Sequence, residues 1–268
     1  MKFYLAVGIL TVGFLSYFFQ DPKKLNRVLA IGDTHGDSQA LKSILNFTNY
    51  SENDLLVQIG DILDRGDDTI ALMEFFISKK SSNITQLMGN HEYMNFMKKL
   101  NYISQGDINS FGGLHNRKLA FEQEYGRYIT ELPLVKKVKD VLFVHGGLSL
   151  EVAKRFNSLE EINQEASRNL NKTHLLWGRE GPIWYRGYAL ESLCSDLSKV
   201  LEKFGCSHMV MGHTIFKEVT SKCQNKAIFI DTGISKAIRG RKSALEILQN
   251  AKETVSVKAI YPHKEELL

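Results

Sequence analysis

The chain has 268 residues, 43% hydrophobic and 24% charged, a globular composition long enough to bury a sizeable core in one large domain. Its net charge is only +4, with no basic block or aromatic-interleaved basic stripe, so nucleic acid is not a partner it points to. Cys194, Cys206 and Cys223 lack zinc-type spacing and are too few for a disulfide framework; ordinary thiols are expected, with room for one disulfide in an oxidising compartment.

Taken in order, Phe3 to Phe19 is an uncharged run behind Lys2. It sits near the lower limit of about 17 residues for a membrane span and exceeds the roughly 7–15 of a signal-peptide core, so residues 1–20 read as a hydrophobic signal peptide or membrane anchor. Thr11-Val12-Gly13 is the best small-x-small cleavage site and a poor one, which favours the uncleaved anchor. A polar linker over 21–26 leads into the large domain, 27–268.

That domain opens with three short apolar runs, each broken by a glycine. Val28–Ile31 leads into Gly32-Asp33-Thr34-His35-Gly36-Asp37, Leu55–Ile59 into Gly60-Asp61-Ile62-Leu63-Asp64-Arg65-Gly66, and Ile84–Met88 into Gly89-Asn90-His91-Glu92. Runs this short and β-branched predict buried strands. Parallel strands gather their carboxyl ends on one edge, so these turns would converge there. Carboxylate, imidazole and one amide oxygen together suit a first-row divalent ion such as Mn, Fe or Zn.

Between the runs, Leu41, Ile44, Leu45 and Thr48, then Leu72, Phe75 and Phe76, fall at helical spacing, so strand and helix alternate. From Tyr93 to Tyr128 a mixed helical pattern predicts a lid or wall beside the site, with Phe96, Met97, Leu100 and Tyr102 as a local core. Val141–Val144 is a further strand ending on His145. Ser158-Leu159-Glu160-Glu161 has the form of a capping box at a helix start. Leu190, Leu193, Leu197, Val200, Leu201 and Phe204 make one helix face closed by Gly205, and His208–Met211 is the strand that ends near His213. Four later strands, over 218–221, 227–230, 243–248 and 254–260, imply a second, more antiparallel sheet.

Gly32-Asp33-x-His35-Gly36, Gly60-Asp61-x-x-Asp64-Arg65-Gly66, Gly89-Asn90-His91-Glu92, His145-Gly146-Gly147 and Gly212-His213-Thr214, in this order, resemble the phosphoprotein phosphatase family of two-metal phosphatases. Asp231-Thr232-Gly233-Ile234-Ser235 stands where the familiar eukaryotic serine/threonine enzymes carry a Ser-Ala-Pro-Asn-Tyr-Cys segment. With Leu175–Pro182 and Gly89–Asn95, it is similar to the bacterial-type, Shewanella-like branch. The resemblance implies an α/β fold of calcineurin-like type: a two-sheet β-sandwich flanked by helices, with a dimetal site at the carboxyl ends of the strands.

Carried over residue by residue, the resemblance makes Asp33 and His35 ligands of one divalent ion, Asn90, His145 and His213 ligands of the other, and Asp61 the bridge. It implies hydrolysis of phosphomonoesters on a phosphoprotein substrate by in-line attack of a hydroxide held between the two ions. Arg65 would grip the phosphate bidentately, with Arg186 as the second arginine and Arg179 as its competitor. His91 would protonate the leaving oxygen, and Asp64 would hold its ring. His115, His174, His208 and His263 read as structural or surface residues. Trp177-Gly178-Arg179-Glu180 and Gly212-His213-Thr214 also resemble symmetrical dinucleoside polyphosphate hydrolases, which is the alternative reading. A catalytically dead membrane-tethered binding protein is the remote one.

A monomeric catalytic domain is expected, placed at the endoplasmic reticulum or in the secretory pathway through the apolar segment. The side of the membrane stays open. Lys23, Lys24 and Arg27 after the run favour the cytosol. Four glycosylation triplets, at Asn46, Asn49, Asn83 and Asn171, together with the organelle targeting common among eukaryotic Shewanella-like members, favour the lumen.

Overall fold

The computed structural model describes residues 27–80, 83–190, 193–249 and 255–268. The expected N-terminal signal or anchor lies outside the described residues, and among those described no helix is long and apolar enough to cross a membrane.

The chain begins with three strand–helix units: β1 (Arg27–Ile31) and α1 (Ser38–Phe47), β2 (Leu55–Gln58) and α2 (Thr69–Ser78), β3 (Ile84–Gln86) and α3 (Asn90–Phe96). The strands are parallel, with Val28 beside Leu55 and Leu56 beside Ile84. The turns that follow them therefore share one edge, as the sequence predicts. Asp37 caps α1 by accepting the Ala40 N–H at 2.9 Å, which ends the first ligand turn and starts its helix in one step.

Helices α4 (Gln105–Ser110), α5 (Leu114–Glu122) and α6 (Glu124–Thr130) then form the expected wall. The hairpin β4 (Val135–Val138) and β5 (Val141–Val144) is followed by α7 (Leu150–Arg155) and α8 (Leu159–Arg168), with Ser158 capping α8. A 3-10 turn at Leu175–Trp177 and the single turn α9 (Gly187–Leu190) precede α10 (Cys194–Phe204) and β6 (His208–Met211). Strands β7 (Thr220–Lys222), β8 (Ala227–Phe229), β9 (Ala244–Gln249), β10 (Val255–Tyr261) and β11 (Lys264–Leu267) finish the chain.

Two sheets result, ordered β11-β10-β9-β1-β2-β3 and β4-β5-β6-β8-β7. Val28 and Ala30 on β1, Val57 on β2, Phe143 on β5, Val210 on β6 and Ile228 on β8 fill the space between them. Leu29 and Ile31 face the other way and pack with Ile44, Leu72 and Phe76 of the helices. Because β1 is covered on both faces, it reads as an unbroken apolar run.

The late strands correct the expectation of one separate antiparallel sheet. β9 pairs antiparallel with β1 and carries β10 and β11 into the first sheet, whereas β8 joins the second beside β6. β4 and β11 were not predicted; their Val-Lys-Lys-Val and Lys-Glu-Glu-Leu sequences belong to edge strands, where charge blocks further pairing. Leu190 does not lie on the α10 face but is 68% exposed on α9, and the helix starts at Cys194. Gly205 closes it in the left-handed region, as expected. The expectation of ordinary thiols is also corrected: Cys194 at the start of α10 is bonded to Cys223 in the β7–β8 turn, and Cys206 stays free.

Candidate metal centre

The turns that carry His35, Asp61 and His213 are held in a conformation the chain adopts reluctantly. His35, Asp61, Asp64, Arg65 and His213 all have positive φ, between 39° and 67°, which costs of order 1–3 kcal/mol each and marks a site over-determined by its surroundings. Gly60, at φ 101°, lets two turns touch, since a Cβ there would lie 2.6 Å from Gly89 N. Glu92 at the start of α3 braces the same crossing. It is fully buried and accepts the N–H groups of Asp61 at 2.7 Å, Gly89 at 2.8 Å, Ile62 at 2.9 Å and Leu63 at 3.3 Å.

Two sets of buried ligand atoms meet on Asp61: those of His35, Asp61 and His91 lie within 4.8 Å of one another, and so do those of Asp61, His145 and His213. His145 Nε2 stands 3.0 Å from Asn90 Oδ1 and 3.3 Å from Asp61 Oδ2. Asp33 closes the other end, its carboxylate accepting the His213 N–H at 3.2 Å. All six residues expected as ligands are thus brought together, with Asp61 common to both halves.

The donors fit divalent ions. His35 Nδ1 donates to Leu63 O and His145 Nδ1 to Ile59 O, each at 2.9 Å, which makes Nε2 of each ring the nitrogen that would face a metal. His213 Nε2 is buried without a hydrogen-bond partner. Burial lowers His213 to about 2, with repulsion from His145 adding to it, and burial lowers His35 to about 4, so both imidazoles are neutral, as ligation requires. His145 goes the other way: burial lowers it, but the carboxylates of Asp61 and Asp33 outweigh that and raise it to about 10. So many buried carboxylates and imidazoles, each pulling on the others' protons, form a pocket of negative potential that two cations would relieve.

His91, expected as an acid and not a ligand, points Nδ1 at Asp64 Oδ2, 2.7 Å away, with both groups buried. Burial lowers its pKa, but Asp61 and the bond to Asp64 prevail, and the net shift is upward. Arg65 is exposed and stacks on Tyr102 at 5.6 Å. Arg186 donates to His213 O at 2.8 Å and to Thr214 Oγ1 at 2.9 Å, so it is anchored on the turn that carries His213. Arg179 is not in that cluster; it lines a cavity of about 560 Å³ with Arg186, Trp177, Trp184 and Leu190.

Sequence reasoning assigned no role to Glu92, Trp184 or Arg117, although Glu92 lay within a quoted motif. Trp184 stands edge-on to His213 at 5.9 Å, and Arg117 is buried behind Asp64. Tyr102 is no core residue: it is 49% exposed, and its ring lies 5.1 Å from that of His91. Asp231 enters by electrostatics, second only to burial in raising the Asp33 carboxyl.

A family model described as calcineurin-like phosphoesterase matches residues 26–215, which spans every ligand turn. The chain belongs to that family. Within it, the Shewanella-like protein phosphatase 1 of Plasmodium berghei is 32% identical over 82% of this chain and 71% of its own length. An uncharacterized protein of Schizosaccharomyces pombe is 32% identical over 88% of this chain and 81% of its own. The crystal structure of the cold-active protein-tyrosine phosphatase of a psychrophilic Shewanella superposes with a TM-score of 0.79 at 25% identity, covering 91% of this chain and 80% of that one. The phosphoesterase thus sits in the Shewanella-like branch, and its two-sheet fold is the calcineurin-like one.

Proposed function

We propose that this chain is a dimetal phosphoprotein phosphatase that hydrolyses phosphomonoesters, and the observation that carries it is the convergence of both groups of ligand atoms on Asp61, with the ring of His91 turned through Nδ1 onto Asp64. Two divalent ions, when bound, supply the charge that activates water and neutralises the phosphoryl oxygens. Asp33, His35 and Asp61 would hold one, and Asp61, Asn90, His145 and His213 the other. The donor set of nitrogen and oxygen fits Mn, Fe or Zn.

The side chains do the rest. Arg65 and Arg186 would grip the phosphoryl oxygens, with Arg179 in the cavity that Arg186 also lines. The acceptor-only Asp64 carboxylate keeps the His91 proton on Nδ1 in the neutral ring, and the protonated ring carries a second proton on Nε2 for the leaving oxygen. Tyr102, exposed beside His91, offers an apolar face to an aromatic leaving group. With the Shewanella enzyme named a tyrosine phosphatase, this favours phosphotyrosine as the substrate to test first.

The Cys194–Cys223 bond supports an oxidising compartment, and the apolar run over 3–19 supports entry into the secretory pathway, so we place the protein at the endoplasmic reticulum. The deciding assay gives the purified, manganese-loaded protein phosphotyrosine peptide, phosphothreonine peptide and diadenosine tetraphosphate in parallel. Turnover of the tetraphosphate alone would overturn the protein phosphatase reading.

A further inference from the structure

Behind the acid catalyst lies a buried chain of polar groups that the metal chemistry does not call for. Arg117 on α5 is 1% exposed. Its Nε donates to Asp107 Oδ2 at 2.6 Å, its Nη1 to Asn95 Oδ1 at 2.9 Å, and its Nη2 stands 3.7 Å from Asp64 Oδ1. The guanidinium lies 4.4 Å over the Phe121 ring and 5.8 Å from that of Phe111. Helix α4, which brings Asp107, is pinned to the site by its cap: Ser104 Oγ accepts the Asp107 N–H at 2.9 Å and donates to Gly66 O at 3.0 Å, directly after Arg65.

The order of donors and acceptors gives this chain a direction. Arginine can only donate, so Asn95 must turn its oxygen towards Arg117 and its NH₂ away. That NH₂ then donates to Asp64 Oδ1 at 3.0 Å and to His91 O at 2.9 Å. With one oxygen of Asp64 engaged, the other faces His91 Nδ1 at 2.7 Å and fixes both the tautomer and the tilt of the ring. Remove the arginine and Asn95 Oδ1 loses its donor while Asp64 loses the cation 3.7 Å from Oδ1, so the amide is held only by its NH₂ and the carboxylate behind His91 is less firmly placed.

We propose that Arg117 is a positioning residue for acid catalysis: acting through Asn95 and Asp64, the helical wall holds the His91 ring in line with the leaving oxygen. The proposal rests on His91 being the acid, as read above. It gives the wall over 93–128 a part in the reaction beyond shaping the surface, since Asn95, Asp107 and Arg117 all come from it.

The test compares phenyl phosphate, whose leaving group needs a proton, with para-nitrophenyl phosphate, whose leaving group does not, in the metal-loaded full-length protein. Arg117→Lys keeps a cation opposite Asp107, but its single nitrogen cannot stand at both places that Nε and Nη1 fill against Asp107 and Asn95. It should retain both ions by metal analysis, lose about 10- to 100-fold in kcat on phenyl phosphate, and stay within about threefold on the nitrophenyl ester. Asn95→Leu, which leaves the Arg117–Asp107 pair intact, should show the same selective loss. If either variant folds with full metal content and loses equally on both esters, or on neither, the proposal falls. His91→Asn separates the two levels: selective loss there without selective loss in Arg117→Lys removes this proposal alone, and equal loss there removes the acid role and this proposal together.

Discussion

Asp61 makes the sharpest claim at the scale of single residues, because one carboxylate serves both ligand sets. Asp61→Asn keeps the shape and removes the charge that would bridge two cations. Metal analysis should show lost occupancy, and turnover should fall by about 10²-fold or more, as when a major electrostatic contribution at a reacting phosphoryl group is deleted. Two retained ions with near-normal turnover would refute the bridge. Glu92 tests the scaffold under that bridge. Burial and the charge of Asp61 push its carboxyl up to about 7, against the pull of the backbone donors at Asp61 and Gly89. Glu92→Gln leaves one acceptor oxygen for four backbone N–H groups and turns an NH₂ on the others, so it should cost about 1–3 kcal/mol in denaturant unfolding. An unchanged midpoint would show that the crossing tolerates unpaired donors.

Among the elements, those most legible in the sequence carry a strong local signal. β1 and β2 are buried on both faces, and they and β3 lead into a glycine within three residues, so their runs are unbroken and their turns announce themselves. The six candidate ligands, Asp33, His35, Asp61, Asn90, His145 and His213, follow from those turns and from the motifs after β5 and β6. What stayed illegible depends on contacts distant in sequence. β9 belongs beside β1 only because the fold brings it back across the whole length of chain between Ile31 and Ala244, and nothing in Ala244–Gln249 names its partner. Nothing in the local sequence marks Arg117, which α5 turns inward onto Asn95 and Asp107. The Cys194–Cys223 bond was hidden for the same reason, since it ties the start of α10 to a turn 29 residues later. A loop of that length contributes about 2–4 kcal/mol by restricting the unfolded chain. The Cys194→Ser/Cys223→Ser double variant should therefore melt several degrees lower under oxidising conditions and match the reduced wild type. Identical melting of oxidised wild type and variant would show that the bond adds nothing to stability.

At the level of the whole molecule, the bond and the apolar N-terminal run bear on where the protein works. Cytosolic thiol buffers keep such a pair reduced, whereas the endoplasmic reticulum lets it form and persist. Lys23, Lys24 and Arg27 would hold the domain on the cytosolic side if the run were an anchor, because positive flanks resist translocation. The two arguments oppose one another, and the disulfide has the more direct chemistry: it links residues of the folded domain itself. The expected outcome is a membrane-protected domain with the Cys194–Cys223 pair oxidised. Intact microsomes treated with protease should spare it until detergent is added, and thiol alkylation before lysis should label Cys206 but neither Cys194 nor Cys223. Digestion without detergent, together with three alkylated cysteines, would place the domain in the cytosol and leave the disulfide unformed there.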